Sequence, residues 1–451
     1  MKPSIFNLCF PLEENNRGDR YGIYNALHGS IFEVDGEGRN ALEGKTPFDD
    51  LPPDVQGLLK DNGIFVEDNI DELRLFKVKF DDFKYDKRSL LFTLITSYEC
   101  NLDCPYCYES RPALPEIGLT LEGAEIIIKF ITQKTVQFGS RNLSFYLFGG
   151  EPLLKPEPGI NIARILKAWA ESNKISFNLG LVTNATLLTS GMISSLSEFG
   201  NVFTQITLDG PQEVHDKKRV YKTGGGTYRD ILAALQRCRR ANFDVKIRIN
   251  VDKDNVKDIP RMLDDLIRSG LGGLRLTFCA LSPLTRACAH YLSYLDTAET
   301  TSLIPGLWET ALNKGFLLDI APKATPVYCG SATDSAYVID PFLDVYKCYA
   351  SVGIKEHRVG YLDADGGLIK EYPYYDLLSR DPLDFKDQKC LHCKLLPTCG
   401  GGCALDSHKT FGSYHHGRCD FFSRIIEQRM QLYLKYRDRL DPEGRGLLGG
   451  P

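Results

Sequence analysis

The chain lacks any apolar stretch long enough to span a bilayer, and its opening, "MKPSIFNLCFPLEENN", holds one lysine and too short an apolar run for a signal peptide. These absences lead to the expectation of a cytoplasmic protein with no membrane partner. A basic excess is also lacking: the formal charge of -5 gives no general attraction for nucleic acid or anionic lipid. Affinity must then come from a shaped site. No internal repeat is present, and 451 residues suffice for two or three domains with cores of their own.

What the chain has in abundance is cysteine, fourteen in all. In a reducing compartment most thiols do not settle into lasting disulfides, so they bind metal or pack as small apolar groups. Cys9, Cys238, Cys279 and Cys288 are scattered and are expected to pack. Cys100, Cys104 and Cys107 share one tight loop, "SYECNLDCPYCYE", which holds no fourth cysteine. Cys329, Cys348, Cys390, Cys393, Cys399, Cys403 and Cys419 form a second group.

The first group follows "RSLLFTLITS", a continuous apolar run of strand length. A helix is expected next, capped by Thr120, with an apolar stripe through Ile126, Ile127, Phe130 and Ile131. The strand-then-helix pattern recurs, giving six β/α units between about 88 and 315 and hence a parallel α/β sheet, an open or partial barrel. Such folds place their chemistry on loops leaving the C-terminal strand ends. The cysteine triad follows strand one, and Gly149, Gly150, Glu151 and Pro152 follow strand two. Thr183 and Asn184 end strand three, Thr207, Asp209 and Gly210 strand four, and Arg248 and Asn250 strand five.

Structural zinc takes four protein ligands, and catalytic zinc with three usually includes histidine, so a triad of cysteines suits neither well. A 4Fe-4S cluster would be held at three irons and left open at the fourth. The adjacent glycines let backbone approach a ligand closely, and Glu151 can accept hydrogen bonds from an ammonium group.

C-x3-C-x2-C after strand one, "GGEP" after strand two and "TNATLL" after strand three resemble the radical S-adenosylmethionine (SAM) superfamily. "TLDGPQEVHDKKR" followed by "GGGTY" resembles its branch with an auxiliary-cluster SPASM domain. The resemblance spans residues 88 to 425 and implies a partial (β/α)6 barrel. It also implies that SAM chelates the open iron through its amino and carboxylate groups. Gly149, Gly150 and Glu151 would receive the amino group, Thr207 the carboxylate and the backbone at Tyr106 the adenine, while Thr183, Asn184 and Asn250 line the pocket. Reductive cleavage would give methionine and a 5'-deoxyadenosyl radical that takes hydrogen from an unactivated C–H bond. Asp209, His215, Asp216 and Arg219 match the branch too, with a salt-bridged turn as the alternative reading. An electron donor such as flavodoxin or ferredoxin is implied.

For the second cysteine group, spacing alone leaves paired zinc sites open. The resemblance implies two auxiliary 4Fe-4S clusters, making three in all. Cys390, Cys393, Cys399 and Cys419 would hold the distal cluster, and Cys329, Cys348 and Cys403 the proximal one. The proximal set is one ligand short, so an exchangeable site is expected there. The family often has glycine five residues before its second auxiliary cysteine; here that residue is Leu343.

The expected boundaries are 1–85, 86–315 for the barrel, 316–430 for the SPASM domain and 431–451 for a helix end and tail, frayed beyond 440. Within 1–85, "YGIYNAL" and "GSIFEVD" read as a hairpin around His28 and Gly29, with "EGRNALEG" and "PPDVQGLLKDNG" as short helices. This α+β arrangement is similar to the winged-helix leader-recognition domains of enzymes that modify ribosomally made peptides, with a barrel-capping extension that binds no ligand as the alternative reading. The resemblance thus implies a precursor peptide with a leader as substrate and a thioether or carbon–carbon crosslink as product. Epimerisation is a further possibility, needing a hydrogen donor such as Cys279 or Cys288. Anaerobic sulfatase-maturating enzymes, which form formylglycine, share the clusters but carry aspartate after the second auxiliary cysteine, where this chain has Tyr349. A zinc-binding interaction protein on a degenerate barrel is the non-enzymatic alternative.

Overall fold

The computed structural model describes residues 1–12, 20–109, 118–283, 285, 288–321, 324–419 and 421–440. The tail expected to fray lies outside them. Contacts divide the chain into two units, one of Asp86–Asp319 with Asp334–Leu378 and one of Met1–Tyr85, Ile320–Thr333 and Ser379–Pro451. The segment expected as one SPASM domain therefore contributes to both.

In the first unit each expected strand is followed by its helix. These are β1 (Ser89–Ile95) and α1 (Leu121–Phe138), β2 (Asn142–Phe148) and α2 (Pro156–Ser172), β3 (Ser176–Thr183) and α3 (Ser190–Ser197). Then come β4 (Val202–Thr207) and α4 (Tyr228–Arg240), β5 (Lys246–Val251) and α5 (Ile259–Arg268), β6 (Arg275–Ala280) and α6 (Thr297–Asn313). Thr120 caps α1 by accepting from the Gly123 N–H at 3.0 Å, and Ile127, Phe130 and Ile131 are fully buried beneath the sheet-facing stripe.

The sheet carries more strands than expected. A short β7 (Leu317–Leu318) pairs parallel with β6, and β8 (Ala336–Ile339) pairs parallel with β1. Beyond β8, antiparallel β9 (Asp344–Tyr346), β10 (Gly360–Leu362) and β11 (Leu368–Lys370) complete the order β7-β6-β5-β4-β3-β2-β1-β8-β9-β10-β11. Among the described residues the two ends do not pair, so the parallel layer is an open, partial barrel. Strands β1 to β6 all run the same way, which puts their C-terminal loops on one rim.

The second unit starts with an antiparallel three-stranded sheet, Asn7–Pro11, Tyr21–Asn25 and Ile31–Val34, in that order. The expected hairpin is its second half, and Gly29 in the turn has a φ of 73°. The expected short helices are Gly36–Leu42 and Pro53–Asp61; the helix Glu72–Lys84 was not anticipated. Phe6, Phe10, Tyr24, Leu27, Phe76 and Phe80 share one core with Val327, Phe385, Leu396, Ile426, Met430 and Leu434. The Tyr24 hydroxyl also bonds Thr398 Oγ1 at 2.7 Å.

Residues 1–85 and the C-terminal cysteine-rich segment thus fold around the same apolar centre. Each large side chain stranded by removing the N-terminal part would forfeit about 1.5–3 kcal/mol of burial. A chain starting at residue 86 is therefore expected to bind a hydrophobic dye and to lose iron from the second cysteine group. A soluble truncation with unchanged iron content would show that the segments are independent.

Candidate active site

The cysteine loop after β1 is stitched to its neighbours through backbone. Gly150 N–H donates to Ser97 O at 3.0 Å and Glu151 N–H to Glu99 O at 2.8 Å. A Cβ at Gly150 would lie 2.2 Å from Glu99 O, and Gly149, at φ 121°, would press one 2.5 Å from Ser97 O. The two glycines are thus required by the approach of the cysteine loop itself. On its other side Asp103 N–H donates to Val220 O at 2.8 Å and Lys222 N–H to Asn101 O at 2.9 Å.

Cys100, Cys104 and Cys107 lie close enough to perturb one another electrostatically. Burial pushes the Cys100 thiol up to about 11 and those of Cys104 and Cys107 up as well. A metal centre must therefore displace their protons and supply the positive charge that burial withholds. Three mutually close thiols in one loop fit a cluster bound at three corners.

Glu151 is buried and turned inward. Its carboxylate accepts from Thr183 Oγ1 at 2.7 Å, Asn184 N–H at 2.7 Å and Leu153 N–H at 3.0 Å, while burial raises its pKa. It fixes the end of β3 against the loop after β2, and Pro152 starts the short turn that carries Leu153. Asn184 Nδ2 bonds Asn101 Oδ1 at 2.8 Å and lies 3.9 Å from Cys100 Sγ.

A second network surrounds Asp209, which has no exposed surface. Its carboxylate accepts from the Tyr106 hydroxyl and, at 2.9 Å, from Asn250 N–H. Arg219 Nη1 donates to the Tyr106 oxygen at 2.9 Å, and Asn250 Nδ2 lies 3.5 Å from it. Arg219 Nε is buried without a hydrogen-bond partner among the described residues, a donor left unspent. The Thr207 hydroxyl, at the end of β4, also makes no hydrogen bond among them.

Sequence reasoning missed Asn255, whose Nδ2 bonds Asp209 O at 2.7 Å and Asn250 O at 2.6 Å. Its only signal was the D-x-x-N spacing of Asp252 and Asn255 just past β5. Also missed was the buried pair of Lys218 and Asp252, joined by Tyr291.

His215 braces this network. Its Nδ1 accepts from Asp209 N–H at 3.1 Å, and its Nε2 lies 3.0 Å from Thr227 Oγ1, whose own proton goes to Arg219 O. Those partners select the neutral ring carrying its hydrogen on Nε2. Burial, reinforced by Arg219 and Lys218, drives the His215 pKa well below its ordinary 6.5. The unfolded chain therefore takes up a proton at this ring before the folded chain does, and stability is lost as pH falls below about 6.5. Each pH unit under that value costs up to about 1.4 kcal/mol from this group. Urea denaturation at pH 7 and pH 5.5 should show a smaller loss for His215→Gln than for the unaltered chain; equal losses would show that the ring does not titrate this way.

The second unit gathers Cys390, Cys393 and Cys419 in one group and Cys329 and Cys403 in another, each group within electrostatic range. Cys348 belongs to the first unit, where it precedes the turn Tyr349–Ser351. Arg380 is buried within electrostatic range of Cys329, Cys403, Cys390 and Cys399. Its guanidinium donates to Gly401 O at 2.8 Å, Gly402 O at 3.0 Å and Tyr414 O, tying the loops that carry these thiols. Among the scattered cysteines, Cys238 and Cys288 are buried as expected, whereas Cys9 is exposed and Cys279 half-buried. Leu343 adopts a φ of 67°, the left-handed backbone that the family's glycine suits, braced by Asp340 accepting from the Phe342 and Asp344 N–H groups at 2.9 and 3.0 Å. The departure is of side chain, not of backbone, at a cost of about 1–2 kcal/mol.

Parallel strands with three thiols on the rim loop of the first strand match the α/β radical SAM fold. Residues 94–266 match the Radical SAM superfamily model, so this part of the chain is a radical SAM domain. It is 20% identical to the radical SAM cyclopropyl synthase TigE of Paramaledivibacter caminithermalis, over 92% of this chain and 94% of that one. It is 24% identical to a cysteine-type anaerobic sulfatase-maturating enzyme of Clostridium novyi, over 74% and 93%. Among solved structures, Streptococcus suis SuiB bound to precursor peptide SuiA superposes with a TM-score of 0.55 at 17% identity, covering 93% of this chain and 99% of that one. The enzyme anSMEcpe with bound AdoMet gives 0.57 at 20% identity, covering 78% and 94%. No helix among the described residues is long and apolar enough to cross a membrane.

Proposed function

We propose that the chain is a peptide maturase that removes hydrogen from a ribosomally made precursor and closes a thioether or carbon–carbon crosslink. The observation that carries this reading is the N-terminal sheet. Its strand Ile31–Val34 pairs on one side only among the described residues, leaving an edge to which a leader can add as a further strand. TigE and SuiB, whose likeness covers 92% and 93% of the chain, support the reading.

Cys100, Cys104 and Cys107 would hold the SAM-binding cluster, with Cys390, Cys393, Cys399 and Cys419 holding a distal auxiliary cluster. Cluster and SAM, when bound, supply the one-electron chemistry that removes hydrogen from an unactivated C–H bond. The chain's own groups place the reactants. Glu151 holds the β2 and β3 loops in register, and Thr207 and the spare Nε–H of Arg219 offer donors to a carboxylate. Asp209, Tyr106 and Asn250 keep the floor of the site rigid and dry.

Sulfatase maturation is the rival favoured by the match to the Clostridium novyi enzyme, but Tyr349 supplies no carboxylate after Cys348. Coexpression with short cysteine-containing peptides encoded nearby, followed by tandem mass spectrometry, decides between them. Loss of two hydrogens with a linked fragment is expected. Formylglycine in a sulfatase peptide, with the short peptides unmodified, would overturn the proposal.

A further inference from the structure

Arg248 has no assigned task in the site described above, and its surroundings are unusual for a guanidinium. On β5, Ile247 and Ile249 are fully buried on one face, and Arg248 and Asn250 share the opposite one, with the Asp209 network. Register pairing sets Arg248 beside Thr207 of β4 and Thr277 of β6, and Asn250 beside Cys279. Arg248 Nε donates to Asn250 Oδ1 at 2.9 Å, which tethers the side chain to the Asp209 network. Its terminal nitrogens donate to no acceptor among the described residues, and it forms no ion pair there.

The titratable groups that act most strongly on the guanidinium are Cys279, Tyr349, Tyr108 and Asp209. Three are a thiol and two phenols. The fourth, Asp209, is already engaged by Tyr106 and Asn250 N–H. Tyr349 packs its ring 6.1 Å from Tyr108 and 5.3 Å from Phe148, so the free end of Arg248 lies beside an aromatic wall. A half-buried guanidinium whose terminal nitrogens have no carboxylate partner is suited to an anion that arrives from outside. With Nε spent on Asn250, the two terminal NH2 groups present a fork that matches a carboxylate.

We propose that Arg248 is a specificity determinant that anchors a carboxylate of the substrate peptide on this face of β5. The proposal rests on the reading of the chain as a peptide maturase. The carboxylate belongs either to an acidic side chain or to a peptide C-terminus, and both bring the same chemistry.

The test uses the full chain, reconstituted anaerobically and saturated with SAM, and reads peptide binding by calorimetry. One arm compares acetyl-Ala-Asp-Ala-amide with acetyl-Ala-Asn-Ala-amide; the other compares acetyl-Ala-Ala-Ala free acid with its amide. In at least one arm the acid is expected to bind about tenfold or more tightly than its neutral partner. The arm that responds identifies the source. Arg248→Gln is expected to bring the ratio to about one, and Arg248→Lys to retain part of it.

No acid preference in the unaltered chain overturns the proposal, as does a preference that persists in Arg248→Gln. Weakened SAM binding in Arg248→Gln with the peptide ratio intact also overturns it, since the carboxylate would then be the cofactor's. If Arg248→Gln fails to fold, the unaltered chain and Arg248→Lys still decide. Absence of iron or of SAM cleavage would refute the catalytic reading instead, because the acid-to-amide ratio is read from binding alone.

Discussion

Alanine at Cys100, Cys104 and Cys107 together is expected to bring 5'-deoxyadenosine formation to background while leaving the fold and the remaining iron in place. The fold should survive because the loop is held by backbone bonds, from Gly150, Glu151, Asp103 and Lys222, rather than by its sulfur atoms. Among hydrogen bonds to these sulfurs, Cys100 Sγ accepts from Leu102 N–H at 3.4 Å and from Asn184 Nδ2 at 3.9 Å, both weak. Iron should fall from roughly twelve to roughly eight per chain if two auxiliary clusters of four irons remain. A triple variant that still makes 5'-deoxyadenosine would remove the catalytic assignment. One that also loses its remaining iron would show that the loop organises more than its own centre.

The second large effect is on stability. Asp209→Ala should lower the unfolding free energy by about 3–5 kcal/mol, because it strands the Tyr106 hydroxyl and Asn250 N–H and leaves Arg219 buried with its nearby negative charge gone. Asp209→Asn keeps the shape and one acceptor, so roughly half that loss is expected. Urea denaturation of the two variants measures the difference. Equal and small losses in both would mean that the network is more hydrated than its burial implies. The Asp209→Ala variant should also bind SAM more weakly, since Tyr106, Arg219 and Asn250 lose their common anchor.

Much of this was legible in sequence for a physical reason. Strands β1 to β6 are segments of six to eight residues rich in apolar side chains, each followed by a helix, so local pattern and tertiary burial agree. Strand β8 has four residues and β7 two, too few to show a period, and their places in the sheet depend on distant partners. The core shared by Phe76 and Met430 joins residues far apart in the chain, which no local pattern reports. Within the site, residue types were readable but their orientation was not. Glu151 looked like a ligand for an ammonium group, yet its oxygens hold β3, and Gly149 and Gly150 make room for backbone as well as for any ligand. The left-handed turn at Leu343 was hidden because a leucine occupies it.

Electron paramagnetic resonance of the anaerobically reconstituted, reduced chain, recorded before and after adding SAM, tests the central claim most directly. A 4Fe-4S signal that shifts on adding SAM and is missing from the variant lacking Cys100, Cys104 and Cys107 is the predicted result. A spectrum indifferent to SAM, or a colourless protein that carries zinc in place of iron, would contradict the account.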